Sequence, residues 1–157
     1  MLFRVILVGN TKKSFLLDGE EEYLSRLKHY AKVETIVIPD LKNAKNMSVE
    51  TVKVEEGKAI MSHCKGYGPI VLLDENGKQR SSEKLAMWLQ NKMNQGGKYI
   101  TFVIGGAYGF SEEVYQIADE KISLSDMTFS HQMVRMIFFE QLYRALTILR
   151  GEPYHHK

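Results

Sequence analysis

Two short stretches of the chain contain residues that could bind an adenosine. Gly105-Gly-Ala-Tyr-Gly109 follows an apolar run, and Leu124-Ser-Asp-Met-Thr-Phe129 follows a shorter one. A ligand can approach the backbone closely at glycine, and the second stretch offers main-chain amides and carbonyls between apolar side chains. This combination suits a purine held by main-chain hydrogen bonds and packed between aliphatic walls. The alternative interpretation of the first stretch is a simple tight turn.

The sequence does not support several other kinds of ligand site. The glycines at 105–109 lack the G-x-G-x-x-G spacing and the later acidic residue of a dinucleotide fingerprint, and no G-x-x-x-x-G-K-[ST] motif occurs. The five histidines form no i, i+4 pair on a helix, and there is one cysteine, so we predict no metal site. Cys64 is therefore interpreted as an inert, partly buried thiol.

Strand-like apolar runs alternate regularly with helical patterns along the chain. This alternation predicts one α/β domain over residues 1–157, with a mostly parallel sheet flanked by helices. Ligands of such sheets bind beyond the C-terminal ends of the strands. The predicted strands are 2–8, 33–38, 69–73, 99–104 and 122–124. The first four predicted helices are 18–31, 48–64, 81–95 and 111–118. The predicted loops at the binding edge are 73–77, which contains a turn at 74–77, 105–109 and 124–129.

A long helix is predicted after the last loop. It starts near Thr128 or Ser130, either of which can cap its first amides, and it ends at Gly151. Its apolar residues point in nearly every direction, as in a helix that is buried on all sides. One face can pack on the sheet of the same chain, and the opposite face then needs a second subunit. We therefore predict a homodimer.

Composition and charge indicate an ordinary globular protein with a basic C-terminal segment. Of 157 residues, 44% are apolar and 25% charged, no apolar run approaches the roughly 20 residues of a membrane span, and residues 1–8 read as a strand rather than a signal peptide, so we expect a cytoplasmic protein. The net charge of +2 lies entirely in residues 131–157, with four basic residues (Arg135, Arg144, Arg150, Lys157) against two acidic ones. It indicates either a phosphate-bearing partner or simple complementation of a helix C-terminus.

Several motifs, in order along the whole chain, carry a family resemblance. They are Val8-Gly9, Val37-Ile-Pro-Asp40, Asn46-Met47, Ser81-Ser-Glu83, Ile104-Gly-Gly-Ala-Tyr-Gly109, the stretch 123–135, Glu140-Gln-Leu-Tyr-Arg144 and Arg150-Gly-Glu-Pro-Tyr-His155. Together they resemble the ribosomal RNA large subunit pseudouridine N3-methyltransferase family, the minimal members of the SPOUT class. One departure is Ser130, where family members often have proline.

The resemblance implies a fold detail, a cofactor and a reaction. It implies a homodimer that binds S-adenosyl-L-methionine at a C-terminal trefoil knot and methylates N3 of a pseudouridine in large-subunit (23S) ribosomal RNA, on the assembled ribosome. A knot does not follow from strand and helix patterns, since chains rarely thread their own loops. Carried over by motif, the cofactor contacts would be Leu73, Gly105, Leu124, Ser125, Asp126, Met127, Thr128 and Phe129.

The implied reaction needs a group that takes a proton and a group that stabilises negative charge, because N3 of a uracil-type ring must lose its proton before it attacks a methyl group. We expect His155 to assist proton removal, Arg144 to stabilise charge or bind phosphate, and Tyr154 to stack on the base. The tail after Gly151 could reach across a dimer interface and complete the other subunit's site.

Each of these residues also has a plainer interpretation. Glu140 and Arg144 form an i, i+4 pair that could simply stabilise a helix surface. His155 could belong to a frayed end or a purification tag, although the family's Tyr-His ending argues that it is native. His131 could be structural or line the pocket.

Two other functions remain open from the sequence. A non-catalytic RNA- or ribosome-binding dimer would keep the basic tail but would not need the two loops at 105–109 and 124–129. A nucleotide-binding α/β enzyme of another class, such as an oxidoreductase, would need the dinucleotide fingerprint that is missing.

Overall fold

The apolar run at the N-terminus forms an interior strand of a five-stranded sheet. In the computed structural model, which describes residues 1–156, the strands are β1 (Leu2–Val8), β2 (Lys32–Ile38), β3 (Ile70–Gln79), β4 (Tyr99–Ile104) and β5 (Glu120–Ser123). Their order is β2-β1-β4-β3-β5, and every neighbouring pair is parallel. The predicted α/β fold is therefore confirmed. Lys157, counted above among the basic residues, lies outside the described residues.

Helices cover both faces of the sheet. They are α1 (Ser14–Leu27), α2 (Val49–Cys64), α3 (Ser82–Asn94), α4 (Glu112–Ile117) and α5 (Met133–Leu149). Alternate residues of β1 point to opposite faces, so Val5 packs with α1, α3 and α5 while Ile6 packs with α2 and α4. Within residues 1–156, none of the helices combines the length and the apolar character that crossing a membrane requires.

Local sequence signals account for most of the boundaries. The hydroxyls of Ser48, Ser81 and Ser111 cap their helices by accepting hydrogen bonds from amides three residues later, as predicted. The bounds of β1 and β4 also match the predictions. Helix α1 begins four residues earlier than predicted, and its early residue Leu16 is buried in the core.

The C-terminal helix α5 lies between α1 and α3 and packs on the sheet through fully buried residues such as Phe139 and Ala145. Its regular turns start at Met133, and Gln132 just before it makes no capping hydrogen bond with its side chain. The hydroxyl of Ser130, in the turn before the helix, accepts hydrogen bonds from the amides of Gln132 (3.3 Å) and Met133 (3.4 Å). At the other end Gly151 adopts a positive φ of 67°, and the amide after it bonds back to Thr147 (3.0 Å), which closes the helix.

The turn predicted at 74–77 lies inside β3, which continues to Gln79. Leu73 and Lys78 both pair with Ile122, so the four residues between them form an irregularity in the ladder. The carboxylate of Asp74 accepts the amide hydrogen of Asn76 (2.8 Å), as in an Asx turn. The turn chemistry was thus identified correctly, but the strand continues beyond it because residues 78–79 pair again with β5.

Gly77 allows this irregularity to pack against β5, and its substitution provides a test. A Cβ atom at Gly77 would lie 2.6 Å from the carbonyl carbon of Ile122, whereas one at Gly97 would meet nothing closer than 3.7 Å. We expect Gly77→Ala to lower the free energy of unfolding by about 1–3 kcal/mol through overpacking. The matched control Gly97→Ala should change it little or raise it slightly. Urea denaturation of both variants measures the difference, and equal stabilities would contradict the packing.

Candidate functional site

A cavity of about 480 Å³ lies at the C-terminal ends of β3, β4 and β5. Parallel strands end at the same edge of the sheet, so the loops that follow them meet there. All three loops predicted to form the binding edge contribute to its lining: 73–77, 105–109 and 124–129. Their convergence around one cavity is the main geometric feature of the site.

Most residues expected to contact a cofactor line this cavity. The lining includes Leu73, Gly105, Leu124, Ser125, Met127, Thr128 and Phe129. Asp126 does not line the cavity. It is exposed to solvent.

The loop at 124–129 is shaped by its own side chains. The hydroxyl of Ser123 donates to the carbonyl of Ser125 (2.8 Å), and the hydroxyl of Ser125 accepts from the amide of Met127 (3.0 Å). Thr128 donates to Glu75 (3.3 Å), which joins this loop to the one after Leu73. These bonds hold the loop open around the cavity.

The glycine-rich loop is packed so closely that two of its glycines have no room for a side chain. A Cβ at Gly105 would lie 3.0 Å from the ring of Phe110, and a Cβ at Gly106 would lie 2.9 Å from the carboxylate of Glu56. Gly109 adopts a positive φ of 79°. The loop therefore keeps bare backbone on the cavity side and close packing behind it.

The charged side chains that line the cavity, within residues 1–156, are acidic. They are Asp74 and Glu75. Asp74 accepts a hydrogen bond from the phenol of Tyr115, and burial together with this carboxylate raises the pKa of Tyr115, which keeps the phenol protonated as a donor. His131 also lines the cavity, as one of its interpretations predicted, and desolvation and the nearby Arg135 lower its pKa. A cationic ligand is thus favoured over an anionic one.

The start of α5 is fixed beside the cavity by a buried arginine. Arg135 is 0% exposed. Its guanidinium donates to the carbonyls of Val8 and Gly9 (2.9 Å to Gly9) and to the hydroxyl of Thr11 (3.0 Å), and its Nε has no partner among the described residues. Arg135 therefore does not belong to a basic surface for a phosphate-bearing partner, and the count of surface charge in the C-terminal segment must exclude it.

The three expected catalytic residues form one cluster away from this cavity. Arg144 donates from Nε to Glu140 (3.0 Å) and from a terminal nitrogen to Nδ1 of His155 (3.3 Å), and its guanidinium lies 4.7 Å from the ring centre of Tyr154. Tyr154 donates to Glu140 (3.0 Å). None of the three lines the cavity of its own chain.

Glu83 completes this cluster and was not selected as a site residue from the sequence. Its carboxylate lies 3.1 Å from Nε2 of His155. Its own backbone amide, His155 and Ser81 lower the pKa of Glu83 to about 2. Because arginine only donates, Nδ1 of His155 is the acceptor and Nε2 carries the proton toward Glu83. The only sequence signal was the Ser81-Ser-Glu83 motif.

A smaller cavity of about 270 Å³ adjoins the first one. The two share Leu124 and Phe129 among their lining residues, and the smaller one extends to Ser82 and Gln141, which bond to each other (2.7 Å). Ser82 and Gln141 neighbour Glu83 and Glu140 in sequence. The space around the 124–129 loop therefore extends toward the helix faces that carry Glu83 and Arg144. Together with Tyr154 and His155, these two residues form what we call the C-terminal cluster.

Metal chemistry has no support in the described part of the chain. Residues 1–156 contain no group of three histidine, cysteine or acidic side chains placed to bind a metal ion. Cys64 is buried, and this burial raises the pKa of its thiol to about 11. The thiol is therefore protonated and unreactive near neutral pH, as predicted.

Glu56, which lies behind the glycine-rich loop, should make stability depend on pH. One of its carboxylate oxygens is buried without a hydrogen-bond partner, and burial and Asp40 raise its pKa above 4.5. A raised pKa in the folded state stabilises the fold below the unfolded pKa, and this contribution is lost as pH rises through the folded value. We expect Glu56→Gln to raise the urea midpoint at pH 7 and to lose this advantage below pH 4.5.

The matched control for this prediction is Glu50→Gln on the same helix. The side chain of Glu50 is 81% exposed, and its carboxylate lies 3.7 Å from Lys53. This substitution should shift the midpoint little at either pH. An identical response of the two variants would show that Glu56 is not destabilised by burial.

Comparisons with known proteins identify a family for the chain. A family described as "Predicted SPOUT methyltransferase" matches residues 1–155. The chain is 54% identical to the ribosomal RNA large subunit methyltransferase H of Christiangramia forsetii, 50% identical to that of Flavobacterium johnsoniae and 49% identical to that of Parabacteroides distasonis, in each case over the full length of both chains. The resemblance inferred from the sequence motifs is confirmed. The chain belongs to the SPOUT methyltransferase family.

Proposed function

We propose that this methyltransferase transfers a methyl group from S-adenosyl-L-methionine to N3 of a pseudouridine in large-subunit (23S) ribosomal RNA, acting on the assembled ribosome in the cytoplasm. The observation that carries the proposal is the convergence of the loops 73–77, 105–109 and 124–129 on one cavity. Relatives that are about half identical over their full length are named ribosomal RNA large subunit methyltransferases. A non-catalytic RNA-binding dimer would not need such a cavity.

The cavity fits the proposed cofactor in size, lining and charge. Its volume of about 480 Å³ lies within the usual range of small-molecule sites. Leu73 and Leu124 offer apolar walls for a purine, and Gly105 leaves the backbone open to it. Asp74 and Glu75 favour a positively charged group. Bound S-adenosyl-L-methionine would supply an activated methyl group on a sulfonium, and Leu124, Ser125, Met127, Thr128 and Phe129 would hold its adenosine part.

The C-terminal cluster supplies what the base requires. N3 must give up its proton and then use the freed electron pair to form the new N–CH3 bond, while the methyl–sulfur bond breaks and its electron pair stays on sulfur. We assign proton removal to Nδ1 of His155, which accepts a hydrogen bond from Arg144 in this arrangement and would exchange it for the proton of N3 when the base binds, while Glu83 orients the ring through Nε2. Arg144 would stabilise negative charge on the base, and Tyr154 would stack on its ring.

The proposed active site joins two subunits. Arg144, Tyr154 and His155 do not line the cavity of their own chain, so a partner's cluster is needed to bring base and methyl group together. The outer side of α5, which includes Ile137 and Ile148, is only partly covered within one chain. We propose that a second copy covers this side in a homodimer and that each tail completes the other subunit's site.

The family resemblance also motivates two proposals about the chain itself. We propose that residues 1–157 form one SPOUT methyltransferase domain, and that its C-terminal part forms a trefoil knot around the cofactor. The segment 73–77 lies at the irregularity within β3, and the other two cofactor loops follow β4 and β5; these strands neighbour one another in the order β4-β3-β5. A knot would fix the positions of these loops relative to one another.

Methyl transfer to ribosomes tests the function directly. We expect the purified protein to transfer labelled methyl from S-adenosyl-L-methionine to ribosomes from cells that lack this gene, with mass spectrometry placing the label on N3 of one pseudouridine. Ribosomes from the parental cells are the matched control and should accept no label, because that position is already methylated.

The outcomes separate the alternatives. Cofactor binding in a calorimeter without a ribosomal product would retain the cavity assignment and contradict the substrate. Absence of cofactor binding would favour the non-catalytic RNA-binding dimer instead.

Complementation between two inactive variants tests the composite site. We expect Gly105→Val, whose side chain would collide with the ring of Phe110 and displace the glycine-rich loop, and Arg144→Ala, which would remove the guanidinium, each to inactivate the homodimer. A heterodimer of the two, purified by two different tags, has one site with an intact cavity and an intact partner cluster. It should recover about half of the wild-type activity per dimer. If cavity and cluster act within one chain, the heterodimer will be inactive.

A further inference from the structure

The rim of the cavity edge carries opposite charge at its two ends. Residues 10–13 and 40–47, which follow β1 and β2, contain four lysines and one aspartate, a net charge of +3. Residues 74–77 and 124–130, which lie around and beyond the cavity, contain two aspartates and one glutamate, a net charge of −3. The glycine-rich loop at 105–109 between them is uncharged. The overall net charge of +2 conceals this polarity.

The strand order separates these charges in space. In the order β2-β1-β4-β3-β5, the basic loops follow the two strands at one end, and the acidic segments lie at the irregularity within β3 and after β5 at the other end. Neighbouring strands lie about 4.8 Å apart, so the loops after β1 and β2 start only about 5 and 10 Å from the glycine-rich loop after β4. The basic end is thus within reach of the nucleotides that flank a base held at the cavity.

Specific contacts fix the basic loops against the cavity wall. The amide of Lys12 donates to the side-chain oxygen of Gln132 (2.9 Å), next to His131, which lines the cavity. Asp40 packs against Gly9, where an added Cβ would lie 2.6 Å from its carboxylate. The loop after β1 and the loop after β2 therefore support each other. The four lysines, Lys12, Lys13, Lys42 and Lys45, are exposed, and within residues 1–156 none of them forms an ion pair.

We infer that this surface, the lysine rim (Lys12, Lys13, Lys42 and Lys45), binds the phosphate backbone of the RNA substrate beside the target base. The inference rests on the proposed function and adds where the RNA lies. Phosphates would be attracted to the lysine rim and repelled by Asp74, Glu75 and Asp126 at the other end. The RNA strand is therefore directed over β1 and β2, and the acidic end is left for the cationic cofactor. Asn43, between Lys42 and Lys45, and Asn46, after Lys45, are exposed and offer further donors to phosphate or sugar oxygens.

A charge-removal variant with a matched control tests the lysine rim. The test variant carries Lys12→Gln, Lys13→Gln, Lys42→Gln and Lys45→Gln. The control carries Lys28→Gln, Lys32→Gln, Lys65→Gln and Lys98→Gln, four lysines that are equally exposed but lie at the opposite, N-terminal edge of the strands. Both variants lose the same charge, so any difference between them reports position.

We expect the test variant to bind ribosomes more weakly while its chemistry is preserved. Its KM for ribosomes should rise about tenfold or more at physiological salt, and the slope of log affinity against log salt should fall by about 0.7 for each phosphate that the variant no longer neutralises. Its kcat at saturating ribosomes and its calorimetric affinity for S-adenosyl-L-methionine should stay within about twofold of wild type, because no lysine of the rim lines the cavity. The control variant should match wild type in all four quantities.

The outcomes separate this inference from the proposed function. If wild type transfers no methyl group to ribosomes, the proposed function fails, and sedimentation still decides the inference, because equal binding of wild type and the test variant would contradict a role for the lysine rim. If wild type is active and both variants lose the same affinity, or neither does, the position of the RNA is wrong although the function stands. Sedimentation of each variant with ribosomes at several salt concentrations gives the binding result without relying on catalysis.

Discussion

The buried guanidinium of Arg135 connects the two ends of the fold. It donates to main-chain carbonyls of Val8 and Gly9, residues more than 120 positions away, and so ties the first turn of α5 to the point where β1 leaves the sheet. Burying a charge costs free energy that its hydrogen bonds recover only in part. The contribution of Arg135 is therefore to position other parts of the chain. It holds the start of α5 beside the cavity, and it keeps the loop before α5 in contact with the loop after β1.

The other features of the site follow from this anchor. With α5 fixed, Ser130 and His131 lie at the cavity edge, and the rest of the helix passes between α1 and α3. At the end of α5, the turn at Gly151 reverses the direction of the chain, so that Tyr154 packs on the ring of Tyr143 (centres 4.7 Å apart). A short tail held in this way keeps His155 against Glu83 and Arg144 and out of the cavity of its own chain. This placement is why a second subunit enters the proposed mechanism.

Local signals in the sequence predict the fold well. They fail where contacts between distant parts of the chain determine the end of a strand or the burial of a side chain. The unbroken apolar run of β1 and the capping serines at 48, 81 and 111 are properties of neighbouring residues, and they were identified correctly. Strand β3 continues past its turn because β5, more than forty residues later, supplies a partner for Lys78. Arg135 looks like a surface cation on a helical wheel, since only the fold shows that carbonyls of β1 enclose it. The loops of the cavity were predictable because they come at the ends of apolar runs that read as parallel strands, whereas the contact between Glu83 and His155 was not.

Cys64 has a practical consequence for work on this protein. Its thiol is enclosed between α2 and the sheet and is protonated near neutral pH. A maleimide probe will therefore not react with Cys64 in the native state, and it will label a single introduced surface cysteine selectively. Conversely, slow modification of Cys64 by a small disulfide reagent reports how often α2 detaches from the sheet, so the natural sequence already contains a probe of local opening.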